Sequence, residues 1–551
     1  MTAVGRSVGE GWRRVGEGWR RQRDRWRAER AHHGRATAAL HRLRHLLGVG
    51  ALEARVAALE AELAAAREAL TRRDARVDRL EGIAEVFETT TWLARFELAP
   101  TVLVSIVLPT RDRPRLLERA IRSVLAQRYP RWELLVVDDG VGAATKEVVA
   151  RFGDARIRLL DGPRRGVAAA RNVALAAARG PLVTYLDDDN EMGADWCKAV
   201  VWAFGTWPET EVCYGARLFG DRQTPDPGAP PGGAALQFLP WDRAALEQAN
   251  LADLGTVAHR RDLREARFDE QLDAMTDWDL LLRLTRDTSP TRVPVVAVRY
   301  HLDAPDRISK VTDVPGAIAQ VLGKVHGWRL GGDPTLDELL ERCVPGARPP
   351  ASLRGLVEWW PSDWAAGPGF LATLLAALAE GDGPVLECGS GLTTLVAATA
   401  TAGSGRDLWV LEHDPYWFGL VDGLCARRGL GHVRRWRTPL VDVGGADWYD
   451  LDRVRDPLPD RFGLVVCDGP PGTTRGGRSG LFRVLTERLR GAVVLLDDAH
   501  RPGEAALVAA LAAAGATVEE ITDGEARIAR LRLPDPAVAP RLGPPSPDRA
   551  E

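Results

Sequence analysis

The stretch Leu186-Asp187-Asp188-Asp189-Asn190 follows Pro181-Leu-Val-Thr-Tyr-Leu186, a short apolar run that predicts a buried strand. Three carboxylates at the end of a buried strand repel one another, and they are costly to desolvate unless a positive charge lies beside them. A divalent metal that carries a diphosphate would supply this charge, because Mg²⁺ and Mn²⁺ prefer carboxylate and phosphate oxygens. The alternative is a solvated acidic turn, and the pentapeptide alone does not separate the two.

Further motifs before and after this stretch favour the metal site. In chain order the motifs are Ser105-Ile-Val-Leu-Pro-Thr-Arg-Asp112, Leu134-Leu-Val-Val-Asp-Asp-Gly140, Gly166-Val-Ala-Ala-Ala-Arg-Asn172, Leu186-Asp-Asp-Asp189, Phe268-Asp-Glu270 and Asp277-Trp-Asp-Leu-Leu-Leu-Arg283. Together they resemble the family 2 glycosyltransferases of the GT-A fold over residues 102–310. A three-Asp motif alone is weak evidence, whereas ordered motifs at domain-scale spacing are specific.

The resemblance implies a site for a nucleotide-sugar donor with Mn²⁺ or Mg²⁺. It makes Asp189 the direct metal ligand, with Asp187 and Asp188 contacting the metal or the ribose. It places residues from other strand ends near the nucleotide: Pro109, Thr110, Asp112, and Asp138 or Asp139. It sets Arg171 facing the diphosphate, where a guanidinium fork suits phosphate oxygens. Taken singly, Asp138-Asp139-Gly140 is also typical of a turn, and Arg171 of a surface helix.

The acceptor hydroxyl needs a base, and the resemblance places Asp277 in that role. One base without a second nucleophilic carboxylate fits a single in-line displacement with inversion. The family often carries Glu-Asp here, whereas this chain has Thr276-Asp277. A helix N-cap is the alternative for Asp277, and a structural histidine is the alternative to a metal or diphosphate contact at His301.

The whole chain is long enough for two or three domains. It has 551 residues, 45% of them hydrophobic, and a formal net charge of -3, which argues against nucleic acid as a partner. Its six scattered cysteines predict free buried thiols in a reducing compartment. No apolar run reaches the roughly 18 residues of a membrane span, and no leader pattern is visible. We therefore expect a cytoplasmic protein.

Residues 1–50 form a basic arm rich in tryptophan and arginine. Trp12, Trp19 and Trp26 recur every seventh residue, beside arginines. One interpretation is a peripheral contact with anionic lipid at the inner face of the membrane. The other, which we favour, is a partly disordered arm, because four glycines disfavour a stable helix there.

Residues 51–82 carry a heptad repeat that predicts a coiled coil. Apolar residues occupy its a and d positions, with Arg73 as the one polar exception: Val56, Leu63, Leu70 and Val77 at a, and Leu52, Leu59, Ala66 and Leu80 at d. We expect a homo-oligomer through this segment, with Gly82 ending the repeat. A long helix packed on its own domain is the alternative.

The remaining chain alternates strand and helix patterns twice. Residues 100–310 predict the GT-A domain, a doubly wound α/β half that binds nucleotides at the carboxyl ends of its strands. The Pro- and Gly-rich residues 221–234 predict a loop, and residues 311–350 predict a connector. Residues 351–533 predict a second α/β domain, followed by a disordered tail at 534–551.

The second α/β domain begins with a glycine-rich turn after an apolar strand. The turn is Glu387-Cys-Gly-Ser-Gly391, and Glu412 ends the next strand, where an acidic residue can bind ribose hydroxyls. This region resembles the class I S-adenosylmethionine-dependent methyltransferases, with a Rossmann-like fold. The resemblance implies that Glu387, Gly389, Gly391 and Glu412 bind S-adenosylmethionine.

Carboxylates follow two further strands of this domain. Asp468 ends one, and Asp497-Asp498 end the next, followed by His500. They could hold a divalent metal, as in the metal-dependent sugar O-methyltransferases that the region resembles, with His500 as a candidate base. The alternative is that these aspartates cap turns in a non-catalytic domain.

We therefore expect a chain with two enzymatic domains: a glycosyltransferase acting on a glycan or metabolite, and a methyltransferase acting on the same product. One alternative is methylation alone, beside a degenerate sugar domain. Another is a non-catalytic protein that assembles through its coiled coil. No motif names the donor sugar, its nucleotide, the acceptor or the methylated position.

Overall fold

The computed structural model describes residues 49–219, 236–251, 253–301, 313–343, 348–362, 365–523 and 526–535. Almost all of the basic arm, the loop predicted at 221–234 and most of the predicted tail lie outside the described residues. The chain divides into two compact units. The first comprises residues 1–242, 252–267 and 283–305, and the second comprises residues 243–251, 268–282 and 306–551.

A single long helix, α1 (Val49–Arg95), contains the predicted heptad repeat. The sequence predicts that the repeat ends at Gly82, followed by a short connector. The helix does not end there but continues for more than three further turns. Gly82 is buried, and a Cβ atom there would lie 2.6 Å from the carbonyl oxygen of Phe238. Glycine therefore permits a close backbone approach at this point and does not terminate the helix.

The first unit is built on a mixed sheet in the order β3-β2-β1-β4-β8-β6-β9-β5, with β7 paired to β6. The strands are β1 (Val104–Thr110), β2 (Trp132–Asp138), β3 (Ile157–Asp161), β4 (Leu182–Tyr185), β5 (Glu191–Met192), β6 (Val212–Phe219), β7 (Leu236–Gln237), β8 (Val257–Arg260) and β9 (Thr291–Tyr300). The helices that follow α1 are α2 (Pro114–Leu125), α3 (Ala144–Phe152), α4 (Val167–Ala177) and α5 (Trp196–Thr206). The sheet is GT-A-like.

The parallel strands β3, β2, β1 and β4 form the predicted doubly wound half. Every residue of β1, β2 and β4 is buried, which explains their apolar sequences. Beyond β4 the sheet becomes mixed, because β8 pairs antiparallel with β4 and with β6. The carboxyl ends of β1, β2 and β4 thus meet at one edge of the sheet.

The second unit is built on a seven-stranded sheet in the order β12-β11-β10-β15-β16-β18-β17. Its strands are β10 (Val385–Cys388), β11 (Leu408–Glu412), β12 (Val433–Arg437), β15 (Leu464–Cys467), β16 (Val493–Leu496), β17 (Thr517–Asp523) and β18 (Ala526–Arg532). In the described part of this sheet, β18 pairs antiparallel with β16 and with β17, and the other pairs are parallel. A separate hairpin comprises β13 (Leu440–Asp442) and β14 (Asp447–Tyr449).

The remaining described helices come later in the chain, and several of them pack on this second sheet. Their bounds are α6 (Arg243–Leu246), α7 (Thr276–Leu284), α8 (Val314–Gly331), α9 (Pro334–Leu340), α10 (Arg354–Trp359), α11 (Pro368–Glu380), α12 (Leu392–Thr401), α13 (Pro415–Arg427), α14 (Gly480–Val484) and α15 (Pro502–Ala513). The predicted connector, residues 311–350, includes α8 and α9, and α8 packs along α13 within the second unit. Among the described residues, no helix has the length and apolar content needed to cross a membrane.

Candidate functional site

The carboxyl edge of the first sheet gathers the predicted donor-site residues. Thr110 ends β1 and is the register partner of Asp138, which ends β2. The Asp187–Asp189 motif directly follows Leu186, whose amide donates a hydrogen bond to the β1 residue Val107. Because β4 pairs with β1 in parallel, all of these side chains lie at the same edge. The structure therefore brings together the residues that the sequence patterns predict separately.

Each of the first two aspartates in the motif faces a cation. Arg171, on α4, donates to Asp187 Oδ1 at 2.6 Å. Asp188 accepts from the Thr110 hydroxyl at 2.7 Å and from Arg113 at 3.3 Å. Arg171 is buried, although it projects from a helix that the sequence alone could place at the surface. The guanidinium groups thus offset part of the acidic charge at this edge.

Burial strongly affects the middle aspartate. It raises the pKa of Asp188 to about 6, against the lowering effects of the Thr110 hydrogen bond and the Arg113 charge. The neighbouring Asp189 and Asp187 carboxylates raise it further. A cation arriving with a ligand would relieve this repulsion, which is the electrostatic condition for binding a metal–diphosphate complex.

The other predicted acidic residues hold the surrounding loops. Asp139 accepts from the backbone amides of Arg164, at 2.6 Å, and Gly166, at 2.9 Å. Asp138 accepts from the amide of Gly140 at 3.0 Å, as the turn alternative predicts. Asp112 adopts a left-handed backbone conformation, with φ of 55°, and its carboxylate accepts from the amide of Val141 at 3.3 Å.

The residues at this edge fit a divalent metal only together with a phosphate ligand. Among the described residues, no group of three or more His, Cys, Asp or Glu side chains is arranged to hold a metal by itself. Mg²⁺ is usually held by one or two carboxylates plus substrate phosphates, and it keeps several waters. Asp189 and its neighbours would supply such carboxylates, and the predicted metal stays a prediction.

Several residues that shape this edge escape the motif-based prediction. Arg113 is one, and Arg119 is another, because it donates to the carbonyl of Asp189 at 2.5 Å. The side chain of Asn190 accepts from the amide of His301 at 3.1 Å, and His301 Nε2 lies 2.7 Å from Glu191 Oε1. The ring of His301 therefore faces a carboxylate. An arginine soon after a strand-end motif is the only sequence signal for the first two.

The candidate base Asp277 lies in the first turn of α7, in the part of the chain that belongs to the second unit. Its Oδ1 accepts from the amide of Trp278 at 2.9 Å, and its Oδ2 accepts from Asn250 at 3.2 Å. It is half-buried. Met275, two residues earlier, has φ of 58°, a conformation that is unusual for a residue with a side chain.

Sequence comparison with known proteins decides the family. The family model described as "Glycosyl transferase family 2" matches residues 105–237. The succinoglycan biosynthesis protein ExoO of Rhizobium meliloti is 36% identical over 277 residues, which cover 46% of this chain and 76% of that protein. The chain belongs to the family 2 glycosyltransferases. The match to ExoO shows this because it extends over most of that protein's length.

Two other relatives share shorter regions with this family 2 glycosyltransferase. The putative colanic acid biosynthesis glycosyl transferase WcaA of Escherichia coli is 29% identical over 188 residues, 33% of this chain and 66% of that protein. The enzyme named UDP-Glc:alpha-D-GlcNAc-diphosphoundecaprenol beta-1,3-glucosyltransferase WfgD, also of Escherichia coli, is 43% identical over 89 residues, 16% of this chain. The chain spans 35% of the length of WfgD.

A second candidate site of this glycosyltransferase lies at the carboxyl ends of β10 and β11. Gly389 has φ of 92°, and a Cβ atom there would lie 2.8 Å from the amide nitrogen of Gly469. A Cβ at Gly391 would meet nothing within 4 Å. The strand order reverses between β10 and β15, and such a point is where doubly wound sheets bind ligands. The backbone of the turn therefore approaches Gly469 closely at Gly389, and open space remains at Gly391 beside α12.

The two glutamates predicted at this second site differ in their partners. Glu412 accepts from the backbone amides of Ser390 at 2.6 Å, and of His413 and Asp414 at 2.7 Å each. Glu387 accepts from the Thr393 hydroxyl at 2.5 Å, and burial raises the pKa of Glu387 to about 8. Glu412 therefore fixes the turn, whereas Glu387 can retain a proton at neutral pH.

Several buried polar atoms in this region have no hydrogen-bond partner among the described residues, including Glu387 Oε2, the Ser390 hydroxyl and the Tyr449 hydroxyl. A Cβ at Gly469 would lie 2.6 Å from the Tyr449 hydroxyl, which places that hydroxyl beside the turn. Buried polar groups are nearly always paired. Orphaned groups next to an open glycine turn are what a polar ligand such as S-adenosylmethionine would satisfy.

The predicted metal-binding aspartates of the second site surround a buried arginine. Arg478 Nη2 lies 3.7 Å from Asp468 Oδ1 and 3.6 Å from Asp498 Oδ2, and donates to the carbonyl oxygen of Asp468 at 2.7 Å. Burial and the neighbouring carboxylates of Asp468 and Asp498 raise the pKa of Asp497 to about 7. Arg478 thus supplies positive charge where we predicted a metal. Metal binding there stays a prediction.

The remaining predicted catalytic residue of the second site is exposed. His500 follows the aspartate pair, and Asp498 has φ of 53°, so the backbone turns sharply just before it. Asp498 pairs with Arg501 at 2.7 Å. A histidine on such a turn is accessible to a large acceptor.

Proposed function

We propose that the chain transfers a sugar from a nucleoside diphosphate to a hydroxyl of a growing surface polysaccharide. The observation that carries the proposal is the strand-edge cluster in which Asp187 meets Arg171 and Asp188 meets Thr110 and Arg113. This cluster has the charge and burial that a metal–diphosphate ligand requires. The matches to polysaccharide biosynthesis proteins support the choice of product class.

In the proposed reaction the acceptor oxygen attacks the anomeric carbon, and the bond from that carbon to the diphosphate breaks. Asp277 accepts the hydroxyl proton, and the nucleoside diphosphate leaves with its electron pair. Arg171 would face the diphosphate, with Asp187–Asp189 beside it. A bound Mn²⁺ or Mg²⁺ would neutralise charge on the leaving group. One displacement of this kind inverts the anomeric configuration.

UDP-glucose and a polyprenyl diphosphate-linked sugar are the first substrate pair to test. The name of WfgD states both for that protein, and its matched region is 43% identical to this chain. A lipid-linked acceptor would also fit the less favoured interpretation of the basic arm, in which its tryptophans contact the membrane. Flotation with anionic vesicles tests that contact. Trp12→Ser, Trp19→Ser and Trp26→Ser together should weaken it.

Calorimetric titration tests the donor site. UDP, GDP and dTDP are each added to the full-length protein with and without Mn²⁺, and S-adenosylmethionine is added separately. We expect one nucleotide to bind in a metal-dependent manner. Binding of S-adenosylmethionine alone would instead indicate a methyltransferase beside a degenerate sugar domain, and binding of neither would favour an assembly protein.

For the second site we propose binding of S-adenosylmethionine and methyl transfer to an oxygen of the glycan. The open turn at Gly391, the orphaned hydroxyls of Ser390 and Tyr449, and the position of the turn at the reversal of strand order support it. The acceptor oxygen would attack the methyl carbon, the sulfur–carbon bond would break, and a base such as His500 would take the proton. Incorporation of radioactive methyl groups into the glycan tests this step.

We also propose that the chain forms a homo-oligomer through α1. Val77, Leu80 and Phe87 are 43%, 58% and 73% exposed, and they continue the a and d positions of the heptad repeat. The opposite face, with Gly82, Val86 and Leu93, is buried on the first unit. Leu80→Glu with Phe87→Glu should therefore convert the oligomer to a monomer in light scattering. An unchanged mass would exclude this interface.

A further inference from the structure

Two motifs of the glycosyltransferase pattern lie in a segment that belongs to the second unit. This acceptor segment, residues 268–282, carries both Phe268-Asp269-Glu270 and Asp277-Trp278-Asp279. The matched family region ends well before it, at residue 237. The part of the chain proposed to hold the catalytic base is thus packed with the Rossmann-like sheet. Its contacts there decide how firmly the base is held.

One buried lysine joins the two motifs. Lys324, on α8, has a side chain that is 4% exposed, and its Nζ lies 2.6 Å from Asp269 Oδ2 and 2.9 Å from Asp279 Oδ1. Asp279 is completely buried, two residues after Asp277 on the same helix. A completely buried carboxylate without a cation is strongly unfavourable. Lys324 therefore fixes α7 and the Asp269 turn to one point.

The lysine is in turn linked to the Rossmann-like sheet. Its Nζ lies 3.7 Å from Asp422 Oδ2, on α13, and Asp422 Oδ1 accepts from Arg435 at 3.0 and 2.7 Å. Arg435 belongs to β12, the edge strand of the sheet. The network therefore runs from the acceptor segment through two helices to the sheet, and cations and carboxylates alternate along it.

The backbone that carries Lys324 has little freedom to move. A Cβ at Gly423 would lie 2.3 Å from the Lys324 carbonyl oxygen, and one at Gly419 would lie 2.0 Å from that of Gln320. Helices α8 and α13 therefore approach so closely that only glycine fits at these crossings. The ammonium group is consequently presented from a rigid helix pair.

The acceptor segment also binds directly to the edge strand. The Gln271 amide group donates to the carbonyl of Arg435 at 2.9 Å and accepts from the amide of Arg437 at 3.0 Å. Glu270 pairs with Arg455 at 2.9 Å. The side chain of Gln271 thus satisfies a backbone donor and acceptor on β12 in the way that a further strand would.

We propose that Lys324 is a positioning residue for sugar transfer, and that the second unit holds the acceptor segment in its working geometry. This inference rests on the proposed glycosyltransferase function. It assigns to the Rossmann-like unit a role in sugar transfer that is independent of any methyl transfer. Acceptor use should depend on Lys324, whereas donor binding should not.

The test compares Lys324→Met with Lys146→Met in the full chain. Lys146 is a matched control, because its side chain is exposed and its ion pair with Asp161, at 3.7 Å, joins it to another exposed side chain. With UDP-glucose and a lipid diphosphate-linked N-acetylglucosamine, Lys324→Met should raise the acceptor KM by about tenfold or more and leave the KM for UDP-glucose unchanged. Hydrogen exchange should rise in residues 268–282. Lys146→Met should change neither.

A milder variant covers the case in which Lys324→Met does not fold. Gln271→Ala removes two hydrogen bonds and leaves the buried charges intact, so it should raise the acceptor KM by about threefold to tenfold. Faster exchange in residues 268–282 with an unchanged acceptor KM for Gln271→Ala would overturn the inference while leaving the proposed function intact. A wild-type protein that transfers no sugar from any tested donor would instead refute the proposed function.

Discussion

The carboxyl edges of the two sheets carry similar acidic sequences, but they are neutralised in different ways. At the first edge, Asp187 and Asp188 pair with Arg171 and Arg113, which come from helix α4 and from the turn before α2. At the second edge, one buried arginine, Arg478, lies among three aspartates and also binds backbone carbonyl oxygens. The first arrangement pairs each carboxylate with a different arginine, whereas the second places one buried arginine between several carboxylates.

The two edges also differ in protonation. Burial raises the pKa of Asp188 to about 6 at the first edge, and of Glu387 to about 8 at the second. At pH 7 Asp188 is therefore mostly ionised, whereas Glu387 mostly keeps its proton. A charged carboxylate suits a bound divalent metal, whereas a protonated Glu387 can donate a hydrogen bond to a polar ligand. The two edges therefore differ in the charge of a buried carboxyl group, although both carry acidic residues after their strands.

Asp189→Ala should have the largest effect on this comparison. We expect sugar transfer to fall by about a thousandfold or more, because the proposed metal ligand that stabilises the leaving group is lost. Binding of S-adenosylmethionine should be unchanged. The measurement is the rate of transfer from UDP-glucose, beside a calorimetric titration with S-adenosylmethionine.

Asp161→Ala is the matched control, because Asp161 ends β3 at the same edge with a side chain that is 88% exposed. It should retain transfer activity. If Asp189→Ala abolished both sugar transfer and the binding of S-adenosylmethionine, the two edges would not be independent sites. If it retained full transfer activity, the proposed role of the motif would be excluded.

Arg478→Met should have the next largest effect, at the other edge. Its side chain is 1% exposed, and its removal leaves the carboxylates of Asp468 and Asp498 without their buried cation. We expect the free energy of unfolding of the second unit to fall by about 3–5 kcal/mol. Metal-dependent nucleotide binding at the first edge should persist in conditions where the protein is folded. Chemical denaturation followed by tryptophan fluorescence measures the change.

Arg475→Met provides the comparison for Arg478→Met. Arg475 is 47% exposed and pairs with Asp447 at 2.5 Å, so its loss should have little effect on stability. Equal stabilities of the two variants would show that Arg478 is not an essential buried cation. The second edge would then be open to the metal that the sequence resemblance implies.

Much of the fold follows from the sequence, but not all of it. The strands β1, β2 and β4 are wholly buried, so their apolar runs predict them well. The strands β6 and β9 pair across a long stretch of chain, with register shifts between Tyr214 and Ala216 and between Ala216 and Arg217. Local periodicity carries no information about such a partner. The continuation of α1 through Gly82 is unpredictable for a similar reason, because Phe238 is distant in the sequence.

The acidic half of each site is predictable, and the basic half is not. Carboxylates directly after apolar strands must lie at the carboxyl edge of a parallel sheet, so Asp188 and Asp468 could be identified from position alone. Arg113 and Arg478 stand in polar, irregular stretches that resemble exposed turns. Lys324 lies in a helix with a weak pattern, and only the packing of α8 on α13 reveals that it is buried.

A matched pair of substitutions tests the two edges separately, and its expected effect is smaller than that of Arg478→Met. Asp139 and Glu412 each hold a loop by accepting backbone amide hydrogens, from Arg164 and Gly166 in one case and from three residues in the other. Asp139→Asn should weaken nucleotide binding only, and Glu412→Gln should weaken S-adenosylmethionine binding only. We expect about tenfold to a hundredfold in each, because hydrogen bonds to a charged group are lost. If each substitution weakened the binding of both ligands to the same extent, the two edges would not be separate sites.

A pH titration should give the smallest effect and addresses Asp188 alone. Its folded-state pKa of about 6 lies above the value of 3.8 for an unperturbed aspartate, so the folded protein binds this proton more tightly. The contribution of Asp188 to stability therefore decreases as pH rises from about 4 to about 6, whereas metal-dependent binding, which needs the ionised form, increases. Between pH 7 and pH 5 the ionised fraction falls about tenfold, and affinity for UDP-glucose with Mn²⁺ should fall equally. UDP-glucose suits the measurement because its diphosphate diester does not titrate in this range. Asp188→Asn should flatten the profile, and an unchanged profile would mean that another group controls binding at this edge.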